Sequence, residues 1–146
     1  NNIAQDQKVS ISHVKPHGAV YNRAAKDKTV AQALGEAVTQ VDPSLKVMGL
    51  AGSIMLDVFD QMGLSIMAEA FADRTYEADG SLRNRKYDDA LITEPEKAAK
   101  QTEMMVSGNI IAVDGSEVAI NAQTLCIHSD TPNAVAIAKA VNKVIS

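Results

Sequence analysis

The tightest constraint on this chain is an alternation of two periodicities. Short apolar runs at residues 11–14, 46–50, 64–69 and 124–128 are separated by longer stretches whose apolar residues recur at helical spacing. Val30, Leu34, Ala37, Val38 and Val41 form one stripe, so 28–41 reads as an amphipathic helix stopped by Asp42-Pro43-Ser44. A second stripe, Ile54, Val58, Phe59 and Met62, ends at Gly63, a residue suited to the position just past a helix. The third, Ala98, Thr102, Met105 and Val106, follows Thr93-Glu94-Pro95-Glu96, which reads as a capping box with an early proline. The fourth places Val135, Ala138, Val141 and Ile145 inwards on a last helix capped by Asp130-Thr131-Pro132. Strands alternating with helices in this order predict an α/β fold with parallel strands and right-handed crossovers.

Two stretches depart from the alternation. Residues 110–113 and 117–120 flank Asp114-Gly115, the signature of a two-residue hairpin. Residues 70–87 form a long polar segment with a turn at Asp79-Gly80, and loops of that length in compact domains are more often functional or disordered than idle. Residues 1–8 are polar and read as the tail of a helix. Four strand–helix units are too few to close a barrel, which typically needs about 250 residues. A parallel sheet this small leaves an apolar edge open. The chain is therefore either an open doubly wound sheet or a part of something larger.

Composition narrows the function classes. The 146 residues are 46% apolar, carried by Ala, Val, Ile, Leu and Met, with three Tyr, two Phe and no Trp. Such a core suits helices on a parallel sheet, and the length is that of one ordinary domain. The net charge of −4 and the scattered Lys and Arg argue against a nucleic-acid surface. No run reaches the roughly 18 apolar residues of a membrane span. A lone cysteine excludes an internal disulfide framework and fits a reducing, cytoplasmic setting. No signal peptide is evident, although the chain starts without an initiator methionine.

The candidate chemistry lies where strands end. Residues 13–22 read His-Val-Lys-Pro-His-Gly-Ala-Val-Tyr-Asn: Pro16 stops the strand, Gly18 turns it, and Lys15 and His17 stand at the turn. The second strand ends in Gly49-Leu50-Ala51-Gly52-Ser53, with Ser53 opening a helix whose free N–H groups suit an anion, or simply capping it. The third delivers Glu69 and then Asp73-Arg74, a surface ion pair or a pair for acid–base work and carboxylate binding. The fourth delivers Cys126, His128 and Asp130. His128 reads as a base, a metal ligand or a core histidine, while Cys126, inside its apolar run, reads as structural. No local pair of histidines at metal-ligand spacing fixes a metal site. Convergence favours a site, because open parallel sheets bind ligands at the C-terminal ends of their strands.

Taken together, blocks 13–22, 49–53, 69–76 (Glu-Ala-Phe-Ala-Asp-Arg-Thr-Tyr), 79–82, 113–117 and 126–130 resemble the LamB/YcsF family, described as the A-subunit of the bacterial ATP-dependent 5-oxoprolinase. The blocks run in order over essentially the whole chain. The resemblance implies a seven-stranded β/α barrel of the glycoside hydrolase/deacetylase type and a role in cleaving 5-oxo-L-proline to L-glutamate with ATP, alongside subunits B and C. The family's acidic first strand end and two further histidine blocks have no counterpart here. The expectation is one unit over 1–146, forming about the C-terminal three-fifths of a family member, an incomplete barrel lacking the N-terminal strands and inactive by itself.

On this reading His17, Asp73 and His128 are the catalytic candidates, and Lys15, Asn22, Ser53, Glu69, Arg74 and Asp130 bind substrate. A divalent metal and a homo-oligomer stay open. Two other readings remain: a non-catalytic ligand-binding or assembly subunit, and a metal-dependent deacetylase-like hydrolase by analogy of fold alone.

Overall fold

The computed structural model describes residues 2–146; Asn1, part of the polar tail, lies outside the described residues. The chain divides into two compact units, one up to Met67 and one comprising Ala68–Ser146. The fold is α/β, with parallel strands and flanking helices.

The first unit holds α1 (Asn2–Asp6), β1 (His13–Val14), α2 (Gly18–Ala24), α3 (Lys28–Val41), β2 (Lys46–Leu50), α4 (Ile54–Gln61) and the start of β3 (Ile66–Phe71). β1 pairs with β2 in parallel, His13 opposite Lys46. The Val47 N–H donates to the Ser65 carbonyl at 2.7 Å, which sets β2 beside the approach to β3. α3 has the predicted bounds because its ends are chemically defined. The Asp27 carboxylate accepts from the N–H groups of Thr29 (3.0 Å) and Val30 (3.4 Å), and Pro43 denies the helix a donor beyond Asp42. β3 begins two residues later than predicted. Gly63, at φ +76°, turns the chain and the Leu64 N–H returns to the Phe59 carbonyl, so residues 63–64 close α4 instead of opening a strand.

The apolar stripe of α3 is only half covered. Ala31 and Gly35 are the buried positions, and Val41 is 75% exposed. Leu34, Val38 and Val41 line an open apolar cavity of about 250 Å³ with Val14, Pro16, Leu45 and Val47.

The second unit continues β3 and holds α5 (Pro95–Val106), β4 (Asn109–Ile111), β5 (Glu117–Ala119), β6 (Thr124–Cys126) and α6 (Ala134–Ile145). β3 pairs with β6 in parallel, Glu69 opposite Thr124 and Phe71 opposite Cys126. α5 and α6 pack together over a core of Ala72, Ala98, Ile137 and Val141. Three local expectations are corrected here. The N-cap of α5 is Glu94 and carries no side-chain cap bond, so the capping box does not form. The N-cap of α6 is Asn133, in the left-handed region at φ 64°, and Thr131 points its hydroxyl elsewhere. α6 buries Ile137 and Val141, while Val135 and Ile145 are exposed. The helix is apolar around most of its circumference, so periodicity alone does not select the buried face.

The antiparallel hairpin of β4 and β5 is present, with a loop longer than two residues: the Ala112 N–H donates to Ser116 and the Gly115 N–H to the Ala112 carbonyl. The long polar segment is a fastened structure. Antiparallel bridges join Arg74 to Leu91 and Tyr76 to Leu82, and the Thr75 N–H donates to Ala90.

Candidate active site

In the second unit the ladder between β3 and β6 runs one step past the strands, because the Ala72 N–H donates to the Cys126 carbonyl at 3.1 Å. The next residue on each side is then brought alongside. Asp73 is fully buried and accepts from the backbone N–H of His128 (2.8 Å), the hydroxyl of Thr131 (2.6 Å) and the His128 ring at Nδ1 (3.1 Å). Burial, the largest single influence, works to raise the Asp73 pKa. The hydrogen bonds from the His128 ring, Thr131 and the His128 backbone together outweigh it and hold the carboxyl below the ordinary aspartate range.

An ionised carboxylate can only accept, so Nδ1 of His128 carries a proton and Nε2 of the neutral ring carries the lone pair. The Phe71 ring stacks against the imidazole, centroids 5.3 Å apart and planes 17° off parallel. The His128 side chain remains 26% exposed. A buried acceptor that fixes the tautomer, an aromatic wall that fixes the plane and a partly exposed ring suit a general acid–base histidine.

The neighbouring groups are held by the same segment. Arg74 is buried, and its guanidinium donates to the carbonyls of Ala90 (Nε, 3.1 Å) and Arg83 (Nη2). Burial, then the charge of Arg85, lowers its pKa from the ordinary arginine value. Those bonds fasten the loop. Tyr76 is fully buried, and its oxygen accepts from the Phe71 N–H at 2.7 Å. Burial pushes the Tyr76 hydroxyl well above its ordinary range, so it stays neutral. The Gln101 amide donates to the carbonyls of Phe71, Ala72 and Arg74. Glu69 is almost fully buried on β3. Asp130 is exposed and ion-paired with Arg85 at 3.0 Å, and that hydrogen bond lowers its pKa.

The first unit carries the other predicted residues, each after the C-terminal end of its own strand. Lys15 is half-buried, its Nζ 5.8 Å from the centre of the Tyr21 ring. His17 is exposed and precedes α2, where Gly18 adopts φ +61°. Asn22 is exposed on α2. Ser53 is buried at the start of α4, and its hydroxyl has no hydrogen-bond partner among the described residues.

Two residues of the Asp73 cluster are not legible in the sequence. Thr131 reads there as part of a helix cap, and Phe71 falls in the long polar segment, although β3 runs on to include it. Their only sequence signal is proximity to His128 and Asp73, which spacing along the chain does not distinguish from packing. Among the described residues no group of three His, Cys, Asp or Glu side chains is placed to hold a metal ion. His128 offers only Nε2, since Nδ1 is bound to Asp73. The donors among the described residues therefore do not by themselves fit a metal.

Fold and site together define an α/β protein whose parallel strands present a histidine oriented by a buried carboxylate. The LamB/YcsF family pattern matches residues 1–146, and the chain belongs to that family. It is 51% identical over 140 residues to the 5-oxoprolinase A-subunit of Chloroflexus aggregans, covering 95% of this chain and 56% of that protein. It is 50% identical over 136 residues to the 5-oxoprolinase A-subunit of Histophilus somni, covering 92% of this chain and 55% of that one. The crystal structure of a lactam utilization protein from Thermus thermophilus superposes with a TM-score of 0.88 at 38% identity, over 99% of this chain and 57% of the other. The chain thus spans a little over half the length of these relatives. Among the described residues no helix is long and apolar enough to cross a membrane.

Proposed function

We propose that this chain works as part of the A-subunit of an ATP-dependent 5-oxoprolinase, opening the lactam of 5-oxo-L-proline to L-glutamate together with subunits B and C. The names of its relatives support the substrate. The observation that carries the chemistry is the buried Asp73 carboxylate bonded to Nδ1 of a His128 ring that remains partly exposed.

Opening the ring adds water across one C–N bond. His128 Nε2 takes a proton as the water oxygen bonds to the carbonyl carbon, and returns it to the ring nitrogen as the C–N bond breaks. Asp73 stays ionised throughout and stabilises the imidazolium between the two transfers. Amide resonance makes the lactam unreactive, a physical reason for coupling the step to ATP as a second substrate of the assembly. His17, exposed just after β1, is a second candidate for proton transfer; Lys15, Asn22, Ser53, Glu69 and Arg74 are the proposed binding groups, and Asp130 takes part through its pair with Arg85.

The seven-stranded barrel belongs to this reading. Parallel strands followed by helices support it, as does the high structural similarity to a chain of which this one covers 57%. A lone cysteine, Cys126, accords with a cytoplasmic location.

The test is His128→Gln in the full-length protein assembled with subunits B and C. Loss of a positioned acid–base group lowers turnover by about 10²–10⁴-fold. Turnover within threefold of wild type, in a variant that melts normally, removes His128 from the reaction.

A further inference from the structure

The polar segment 83–89 is more firmly built than an idle loop. The Tyr87 N–H donates to the Asn84 carbonyl at 3.1 Å, closing a four-residue turn, and the Lys86 N–H donates to the Asn84 side chain at 3.0 Å. Both flanks are clamped through Arg83. Its guanidinium pairs with Glu77 and Asp89 and lies 4.3 Å from the Tyr87 ring centre. Its backbone N–H donates to the Thr75 carbonyl, and its own carbonyl accepts from buried Arg74. The Lys86 ammonium also sits over Tyr87, at 4.9 Å.

Arg85, on the same turn, reaches in a different direction. Its Nη1 donates to Asp130, two residues past His128 and 45 positions away in sequence, at 3.0 Å. The side chain is 44% exposed and Asp130 67% exposed. A guanidinium has five donors, and this contact uses one of them. An exposed ion pair adds at most about 1 kcal/mol to stability, so exchanging Asp130 for another carboxylate costs the fold little. A planar fork held on a clamped turn, beside the histidine loop and already bonded to a carboxylate, is suited to bidentate carboxylate recognition.

We infer that Arg85 binds the carboxylate of the cyclic-amide substrate, with Asp130 as the carboxylate that holds the guanidinium in place until substrate arrives. This rests on the proposed lactam reading and deepens it: the site would select amino-acid lactams over uncharged ones. ATP also carries anionic oxygens, and the experiment separates the two sources.

Arg85→Ala and Arg85→Lys are made in the full-length protein and assayed with subunits B and C. Measured are KM for 5-oxoproline, KM for ATP, and Ki for 2-pyrrolidinone, which lacks the carboxylate, as a competitor. Support is a tenfold or greater rise in KM for 5-oxoproline in Arg85→Ala and a smaller rise in Arg85→Lys, with the other two constants within twofold. The assignment falls if KM for 5-oxoproline stays within twofold. It also falls if KM for ATP rises instead, which marks a phosphate contact, or if all three constants move together, which marks a structural role. An unaltered Arg85→Ala in an assembly that opens 5-oxoproline overturns this assignment alone, whereas a wild-type assembly that does not open 5-oxoproline overturns the reading beneath it.

Discussion

Replacing Asp73 by Asn tests the site through a proton that must change place. The carboxylate oxygen Oδ2 accepts both the His128 N–H (2.8 Å) and the Thr131 hydroxyl (2.6 Å). In the variant the amide oxygen takes over that position, because it is the only acceptor the new side chain has. The amide NH2 then occupies the Oδ1 position, 3.1 Å from His128 Nδ1, and two donors face each other. Nδ1 is also 3.1 Å from the Oδ2 position, but a proton kept there crowds a third donor onto the one amide oxygen; moving the proton to Nε2 relieves both the crowding and the donor–donor contact, and it ends the ring's service as a base. A hydrogen bond to a charged group contributes about 1.5–3 kcal/mol and a neutral one about 0.5–1.5 kcal/mol, so the exchange destabilises the fold by about 1–2 kcal/mol. Turnover falls much further, by about 10⁴-fold, the scale of a histidine locked in the wrong tautomer. The assay pairs turnover of the assembled enzyme with thermal unfolding and ¹⁵N chemical shifts of the His128 ring. A folded Asp73→Asn protein with turnover within tenfold of wild type refutes the reasoning. So does a wild-type ring already protonated on Nε2.

Acid stability provides a second check. The folded pKa of Asp73 lies below the ordinary value of 3.8. Its contribution is therefore fully present above that value and is lost as pH falls through the lower folded pKa. Below about pH 4, the unfolding free energy of wild type should decline more steeply than that of Asp73→Asn, as measured by denaturant titrations; parallel declines contradict the assignment. Tyr76→Phe removes the oxygen that accepts the Phe71 N–H at 2.7 Å in a fully buried setting. Losing a buried hydrogen bond costs about 0.5–1.5 kcal/mol, read as a lowered urea midpoint at unchanged slope, and an unchanged midpoint argues against this role.

Fold class is legible in the sequence because it depends on local signals. Asp27 and Pro43 bracket α3 by their own chemistry, and the alternation of strand and helix needs no knowledge of distant contacts. Legibility fails where two local solutions compete or where the deciding partner is far along the chain. Thr131 next to Pro132 has the look of a cap, yet its hydroxyl is used by Asp73, 58 positions away. The stripe expected on α6 differs from the buried face because Val135, Ile137, Val141 and Ile145 cannot all face one core. His128 and Asp73 each stand out singly in the sequence. Their partnership across 55 positions is set by the register of β3 on β6, which no spacing rule encodes.

The segment after β3 shows why its residues are polar although several are buried. Arg74, Gln101 and Tyr76 each hold backbone. Gln101 bonds the carbonyls on either side of Asp73, Tyr76 bonds the N–H of Phe71, and Arg74 bonds the far side of the loop at Ala90 and Arg83. Backbone that leaves a sheet inside a protein must find partners for its N–H and C=O groups, and these side chains supply them. The consequence is functional. The Asp73 carboxylate, and through it the His128 tautomer, is positioned by bonds made on folding, before any ligand arrives. In the proposed reaction, a site preorganised in this way needs little reorganisation as charge develops on the imidazole, which is where fixed hydrogen bonds contribute most to rate.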